Sequence, residues 1–158
     1  MTVTLWLLLA ALLVNGLLAG ASIDQSIKQL PARHRIGVVA YSEYSKAADL
    51  GNGLILYPLL GIGGALIAII AAVVGILSQP SGQAMITLWL VIILTIAHSA
   101  VTSLAAPTNI SQRNATGNEE RLTALFDRFV KLQAIRMPLQ FFAFLALAWA
   151  LVAQIINT

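Results

Sequence analysis

Residues 50–112 read LGNGLILYPLLGIGGALIAIIAAVVGILSQPSGQAMITLWLVIILTIAHSAVTSLAAPTNISQ, and none of these 63 positions carries a charge. A helix needs about 20 apolar residues to cross the hydrocarbon core of a bilayer, so the stretch is too long for one crossing and long enough for two. It divides at Ser78-Gln79-Pro80-Ser81-Gly82-Gln83, a cluster of turn formers. Outward from there, residues 1–23 and 137–158 also lack Asp, Glu, Lys and Arg, and each holds one further span. All 15 charged side chains fall within 24–49 and 113–136. With 59% of its 158 residues hydrophobic, the chain has too little polar surface to cover a water-soluble core. The expected fold is therefore all-α. It is a polytopic membrane protein forming one domain over 1–158, a four-transmembrane-helix bundle with spans at about 3–22, 50–77, 85–106 and 137–156.

The two charged windows predict two amphipathic helical segments. In the first, Ile36, Val39, Ala40, Tyr44 and Ala47 recur at helical spacing, with Glu43 and Lys46 elsewhere on the turn. This reads as a short amphipathic helix feeding the second span, which Pro58 bends near its start. The third span is expected to stop at Pro107, and Thr108 to Asn118 reads as a polar turn-forming stretch. After it, Leu122, Leu125, Phe126, Phe129 and Leu132 form one helical stripe, opposite Arg121, Arg128 and Lys131. That segment is expected along a membrane surface or running directly into the fourth span, with the bend at Pro138.

Two crossings separate the charged windows, so both lie on one side. The other side exposes the termini and the turn at 78–83, without a basic residue. The positive-inside rule then puts the charged loops in the cytoplasm and both termini outside, in a plasma or inner membrane. Trp6, Trp89 and Trp149 fall in the half nearer the uncharged ends, while Tyr41, Tyr44 and Tyr57 flank the charged side. Ala19-Gly20-Ala21 has the look of a signal-cleavage site, but no basic stretch precedes it and the apolar run is long enough to span. The glycosylation patterns at Asn109-Ile-Ser111 and Asn114-Ala-Thr116 are expected to go unused in a cytoplasmic loop.

Several chemistries drop out. Without cysteine there is no disulfide, thiolate metal site or thiol redox cycle. The two histidines form no spaced pair, so neither a metal nor another cofactor is called for. Spans free of ionisable residues, apart from Arg136 at a boundary, speak against an ion pump or proton relay. The net charge of +3 suits anionic headgroups flanking the spans better than nucleic acid. Small residues (Gly16 and Gly20; Gly61, Gly64, Ala68, Ala72 and Gly75; Ala146, Ala150 and Ala153) let helices pack closely, within the bundle or in a homo- or hetero-oligomer.

The polar residues inside the spans are few and agree in depth. Asn15 lies nine residues before Asp24 and His98 nine before Pro107, each about 13 Å below the charged boundary. Thr95 and Thr102 accompany His98, with Ser99 and Ser103 to one side; Asp49 and Asn52 enter the second span. Arg136 and Gln140 begin the fourth, four residues apart on one face. An unpaired polar group in hydrocarbon costs several kcal/mol, so these side chains are expected to face one another around a pocket opening toward the charged side. Structural roles compete at each position: Asn15 can join helices, Asp49 can cap one, and Arg136 can reach headgroups. His98 can serve as a base, a donor or one ligand of an incomplete metal site.

Gly16-Leu-Leu-Ala-Gly-Ala21, Leu30-Pro31-Ala32 and Asp49-Leu-Gly-Asn-Gly53, followed by Pro107-Thr-Asn109, Leu125-Phe-Asp-Arg-Phe129 and Arg136, resemble the anthrone-oxygenase-like family. These are small four-span proteins, mostly grouped as a domain of unknown function. The resemblance covers nearly the whole chain. It departs where the family often has tryptophan and this chain has Phe126 and Phe129, and where Gln133 replaces a common asparagine. It implies a pocket for a small hydrophobic molecule, polycyclic aromatic or lipid-like, and singles out Asn109 and Arg136. Taken at its name, it implies oxygen insertion into an activated aromatic ring system. His98 would then be the base, Arg136 the oxyanion stabiliser, and Asn15, Asp49, Asn52, Thr102, Asn109 and Gln140 substrate-binding residues, with dioxygen reacting without a metal. The alternative is a non-catalytic membrane protein, an accessory subunit or a carrier of a lipophilic ligand.

Overall fold

The computed structural model describes residues 3–78 and 82–156, all of it helix and short connections among the described residues. Helix α1 (Val3–Asp24) runs through a wide π-turn, Gln25–Gln29, into α2 (Leu30–Ile36), where Pro31 sits in the first turn and its missing N–H has no helical partner to lose. The chain turns at Gly37 into α3 (Val38–Ala47), then kinks through Ala48–Asn52, where Gly51 leaves helical geometry (φ −91°, ψ −114°). Helices α4 (Gly53–Leu77), α5 (Gln83–Ile110) and α6 (Glu119–Ile156) complete the chain, with a 3₁₀ segment Ser111–Ala115 between the last two. The turn expected at 78–83 falls partly on residues 79–81, outside the described residues.

Four helical stretches are long and apolar enough to cross a membrane, in the order the charge pattern implies. They pack as a ring in which α1 meets α4 and α6, and α5 meets α4 and α6. Toward the uncharged end the ring closes on Leu8, Ala11, Ala68, Ala71, Ala72, Leu88, Val91, Leu147 and Ala150, all fully buried. Five of these nine residues are alanine, whose small side chain lets the helix backbones approach closely. At Gly75 a Cβ would meet Leu88 Cδ1 at 2.9 Å, so any larger residue there obliges the Leu88 side chain to shift. Large apolar side chains instead cover the outside: Leu13, Leu59, Ile62, Ile93 and all three tryptophans are exposed.

Two expectations need correction. Helix α5 does not stop at Pro107 but continues to Ile110, and the stretch read as polar turns is helical up to Ala115. Thr108 Oγ1 donates to Leu104 O (2.9 Å) and Gln112 ties the extension to α3, so tertiary hydrogen bonds outweigh the proline's missing donor. Helix α6 takes the second of the two courses expected for its first half, running directly into the fourth span as one helix of 38 residues with Pro138 inside it. At 1.5 Å per residue it is about 57 Å long, well beyond the roughly 30 Å of a bilayer core. Its first half joins α2, α3 and the 3₁₀ segment in a cap at the charged end with its own core of Leu30, Tyr41, Ala105, Ala115, Leu122, Phe126 and Phe129. The stripe read from 122 to 132 thus packs inward, with Tyr41 and Phe126 edge to face at 5.0 Å. Helix α3 turns Tyr41, Ser42 and Ser45 inward and leaves Val39, Tyr44 and Ala47 exposed.

Candidate functional site

Where the cap meets the bundle, a cavity of about 560 Å³ opens between the kinked start of α4 and the charged-end half of α5. Of the residues singled out from the sequence, His98, Thr102, Asp49, Asn109 and Arg136 line it. Gln25, Tyr57, Ser99, Ser103 and Phe129 join them, and Leu18, Leu54, Pro58, Ile62, Leu66 and Ile69 supply an apolar remainder.

The kink positions Asp49. A Cβ on Gly53 would stand 2.9 Å from Ala48 O, so glycine there lets the chain turn from α3 into α4 with Asp49 buried at the corner. Ser45 Oγ donates to Asp49 Oδ2 (2.8 Å), and the Asn109 side chain is also directed at the carboxylate. Behind them lies Gln112, fully buried. Its Nε2 donates to Ser45 Oγ (3.1 Å) and Asn109 Oδ1 (2.8 Å), and its Oε1 accepts from Ser42 Oγ (3.1 Å). Arg113 Nη2 donates to Leu50 O (2.8 Å), fastening the 3₁₀ segment to the same corner. One amide thus orients both the acid and the amide that face the cavity.

Arg136 enters from α6. Its Nη2 donates to Gln25 Oε1 (3.0 Å), and its Cζ lies 5.8 Å from the centroid of the Phe129 ring, a cation–π contact. Its Nε is buried and has no hydrogen-bond partner. His98 lies eleven residues before Asn109 on α5, about 16 Å deeper. Thr102 Oγ1 donates to His98 O (2.9 Å) and lies 3.4 Å from His98 Nε2, within reach of the ring. Among the described residues no group of three or more His, Asp or Glu side chains converges to hold a metal ion.

The remaining residues sit elsewhere. Asn15 and Gln140 pair below the cavity wall: Gln140 Nε2 donates to Asn15 Oδ1 (3.1 Å) and Asn15 O (3.2 Å), and Asn15 Nδ2 donates to Gly64 O (3.1 Å) and Ala11 O (2.9 Å). This knot joins α1, α4 and α6 without lining the cavity. Asn52 is exposed at the kink, outside the lining. Sequence reasoning passed over Gln25, a polar residue in a polar window, and over Tyr57, read only as a boundary aromatic. Gln112 gave no signal, because its role depends on the unexpected helical extension of α5.

Comparison of the chain with protein-family models, with curated proteins and with solved structures found no match to any of them. The anthrone-oxygenase-like resemblance therefore rests on the sequence motifs alone.

Proposed function

We propose that this chain is an integral membrane protein that takes a small hydrophobic molecule, polycyclic aromatic or lipid-like, into the cavity between α4 and α5 and holds it by a polar end. One observation carries the reading: Asp49, His98, Thr102 and Arg136, chosen from the sequence for their place in or at the ends of the spans, line one largely apolar cavity together with Asn109, which the resemblance singled out. A structural polar knot would satisfy itself, as Asn15 and Gln140 do. Here Arg136 Nε is left without a partner, and the wall opposite is hydrocarbon. The charge pattern supports cytoplasmic loops and outer termini in a plasma or inner membrane.

The anthrone-oxygenase-like resemblance supplies a reaction. The His98 imidazole accepts a proton from the activated CH₂ of an anthrone, and Arg136 stabilises the resulting oxyanion. The electron-rich carbon reacts with dioxygen; one oxygen atom becomes the new carbonyl, the other leaves as water, and both hydrogens of the CH₂ are lost. Native mass spectrometry of the detergent-purified protein, followed by oxygen uptake with anthrone, tests this for wild type and His98→Ala. Wild type should take up one anthrone and consume oxygen, and His98→Ala should bind it while turning over about 10²-fold or more slowly. Equal turnover in the two would remove His98 as the base. Binding without oxygen uptake would make the protein a carrier, and an empty wild type would favour an accessory subunit.

A further inference from the structure

The polar end of the cavity holds a guanidinium with no acid in contact with it. Arg136 brings five N–H groups, one bonded to Gln25 Oε1, while the buried Nε meets no acceptor. Among the described residues no carboxylate lies within 4.0 Å of any basic group of Arg136. Asp49, the acid in the lining, acts on Arg136 only from beyond contact distance, with one carboxylate oxygen accepting from Ser45 and Asn109 facing it. Phe129 lies beside the guanidinium as a cation–π partner and carries no counter-charge. A low-polarity cavity that holds a guanidinium with no contacting counter-charge is matched by an oxygen anion, which charge-assisted hydrogen bonds favour over a neutral oxygen.

The shape says how such a group arrives. On α4 the lining runs from Gly53 to Ile69, about 24 Å, and on α5 from His98 to Ile110, about 18 Å. Leu54, Ile62 and Leu66, which border it, are exposed on the apolar perimeter of the bundle. At the charged end the Gln112 and Arg113 contacts close α3 and the 3₁₀ segment over it. The opening is therefore on the flank, against hydrocarbon, and not through the cap.

Resting on the pocket reading above, we propose that the ligand is an anionic amphiphile, a carboxylate or phenolate on an apolar body, that enters sideways from the bilayer between α4 and α5 and seats its oxygen anion on Arg136. The probes are 9-anthracenecarboxylate and its neutral analogue 9-anthracenemethanol, titrated into the full-length protein in nanodiscs and read by native mass spectrometry. The carboxylate should bind at least tenfold tighter than the alcohol. Arg136→Gln should erase that preference by weakening only the carboxylate, and Arg136→Lys, which keeps the charge if the Gln variant fails to fold, should retain it. Ser103→Trp, at an exposed lining position, should slow uptake of both probes at least tenfold. Equal affinity for the two probes in wild type overturns the anionic ligand and leaves the pocket reading standing. Unchanged uptake in Ser103→Trp overturns sideways entry. Failure of both probes to bind wild type overturns the pocket reading and this inference with it.

Discussion

Gln112 and Asn15 show how differently a buried amide can be used. Gln112 serves Ser42, Ser45 and Asn109 at once, and through them fixes what the cavity presents. Gln112→Ala leaves those groups without a partner and should cost about 1–3 kcal/mol, the usual penalty for orphaned buried polar groups, seen as a lower Tm in detergent. Ligand affinity should fall with it, because Asp49 and Asn109 lose their positioning. Asn15 serves only the helices. A double-mutant cycle of Asn15→Leu and Gln140→Leu should give a coupling of about 0.6–1.7 kcal/mol, the range for hydrogen bonds between membrane helices, with ligand affinity unchanged. A change in affinity in that cycle would put the knot inside the site. Arg136 and Gln140 were read as one face, and four residues of helix separate two roles: one enters the cavity, the other meets Asn15.

At the scale of elements, the kink before α4 and the close contact between α4 and α5 set the cavity's two ends. Gly75 brings α4 against Leu88 toward the uncharged end, while at the other end the Ala48–Asn52 kink puts Asp49 and Leu50 in the lining beside Gly53. Gly75→Val forces a side chain into Leu88 and should cost about 1–3 kcal/mol, the usual price of overpacking, read by thermal unfolding. Gly53→Ala brings a Cβ against a backbone carbonyl that cannot rotate away, so the kink itself must move. Its expected outcome is a weaker ligand complex with a smaller loss of Tm than Gly75→Val. Period and composition made the helices legible, and the stripe from Leu122 to Phe129 packs as its spacing implied. Pro107 was the misleading signal. It was read as an end, yet it lies inside a helix, because hydrogen bonds and packing from other elements hold the chain helical around it.

Over the whole molecule, a cap of helices stands at the charged end of a bundle whose perimeter is apolar. The chain has no cysteine, so orientation is testable with single additions. Ser78→Cys and Asn114→Cys are both exposed positions at opposite ends. In intact cells a membrane-impermeant thiol reagent should label Ser78→Cys, and Asn114→Cys only after the membrane is opened. The reverse pattern would invert the topology. What the sequence determined by itself was the number of long apolar helices, their order, and the end at which polar groups gather, because the cost of placing charge in hydrocarbon acts on each residue wherever its neighbours are. Only the tertiary structure decided which of those polar groups share a cavity and which satisfy each other. Hydrogen-bond partners more than a hundred residues apart, such as Arg136 with Gln25 and Gln140 with Asn15, depend on how α1 and α6 are rotated against each other and on the π-turn that carries Gln25, and neither is written in the period of any one helix.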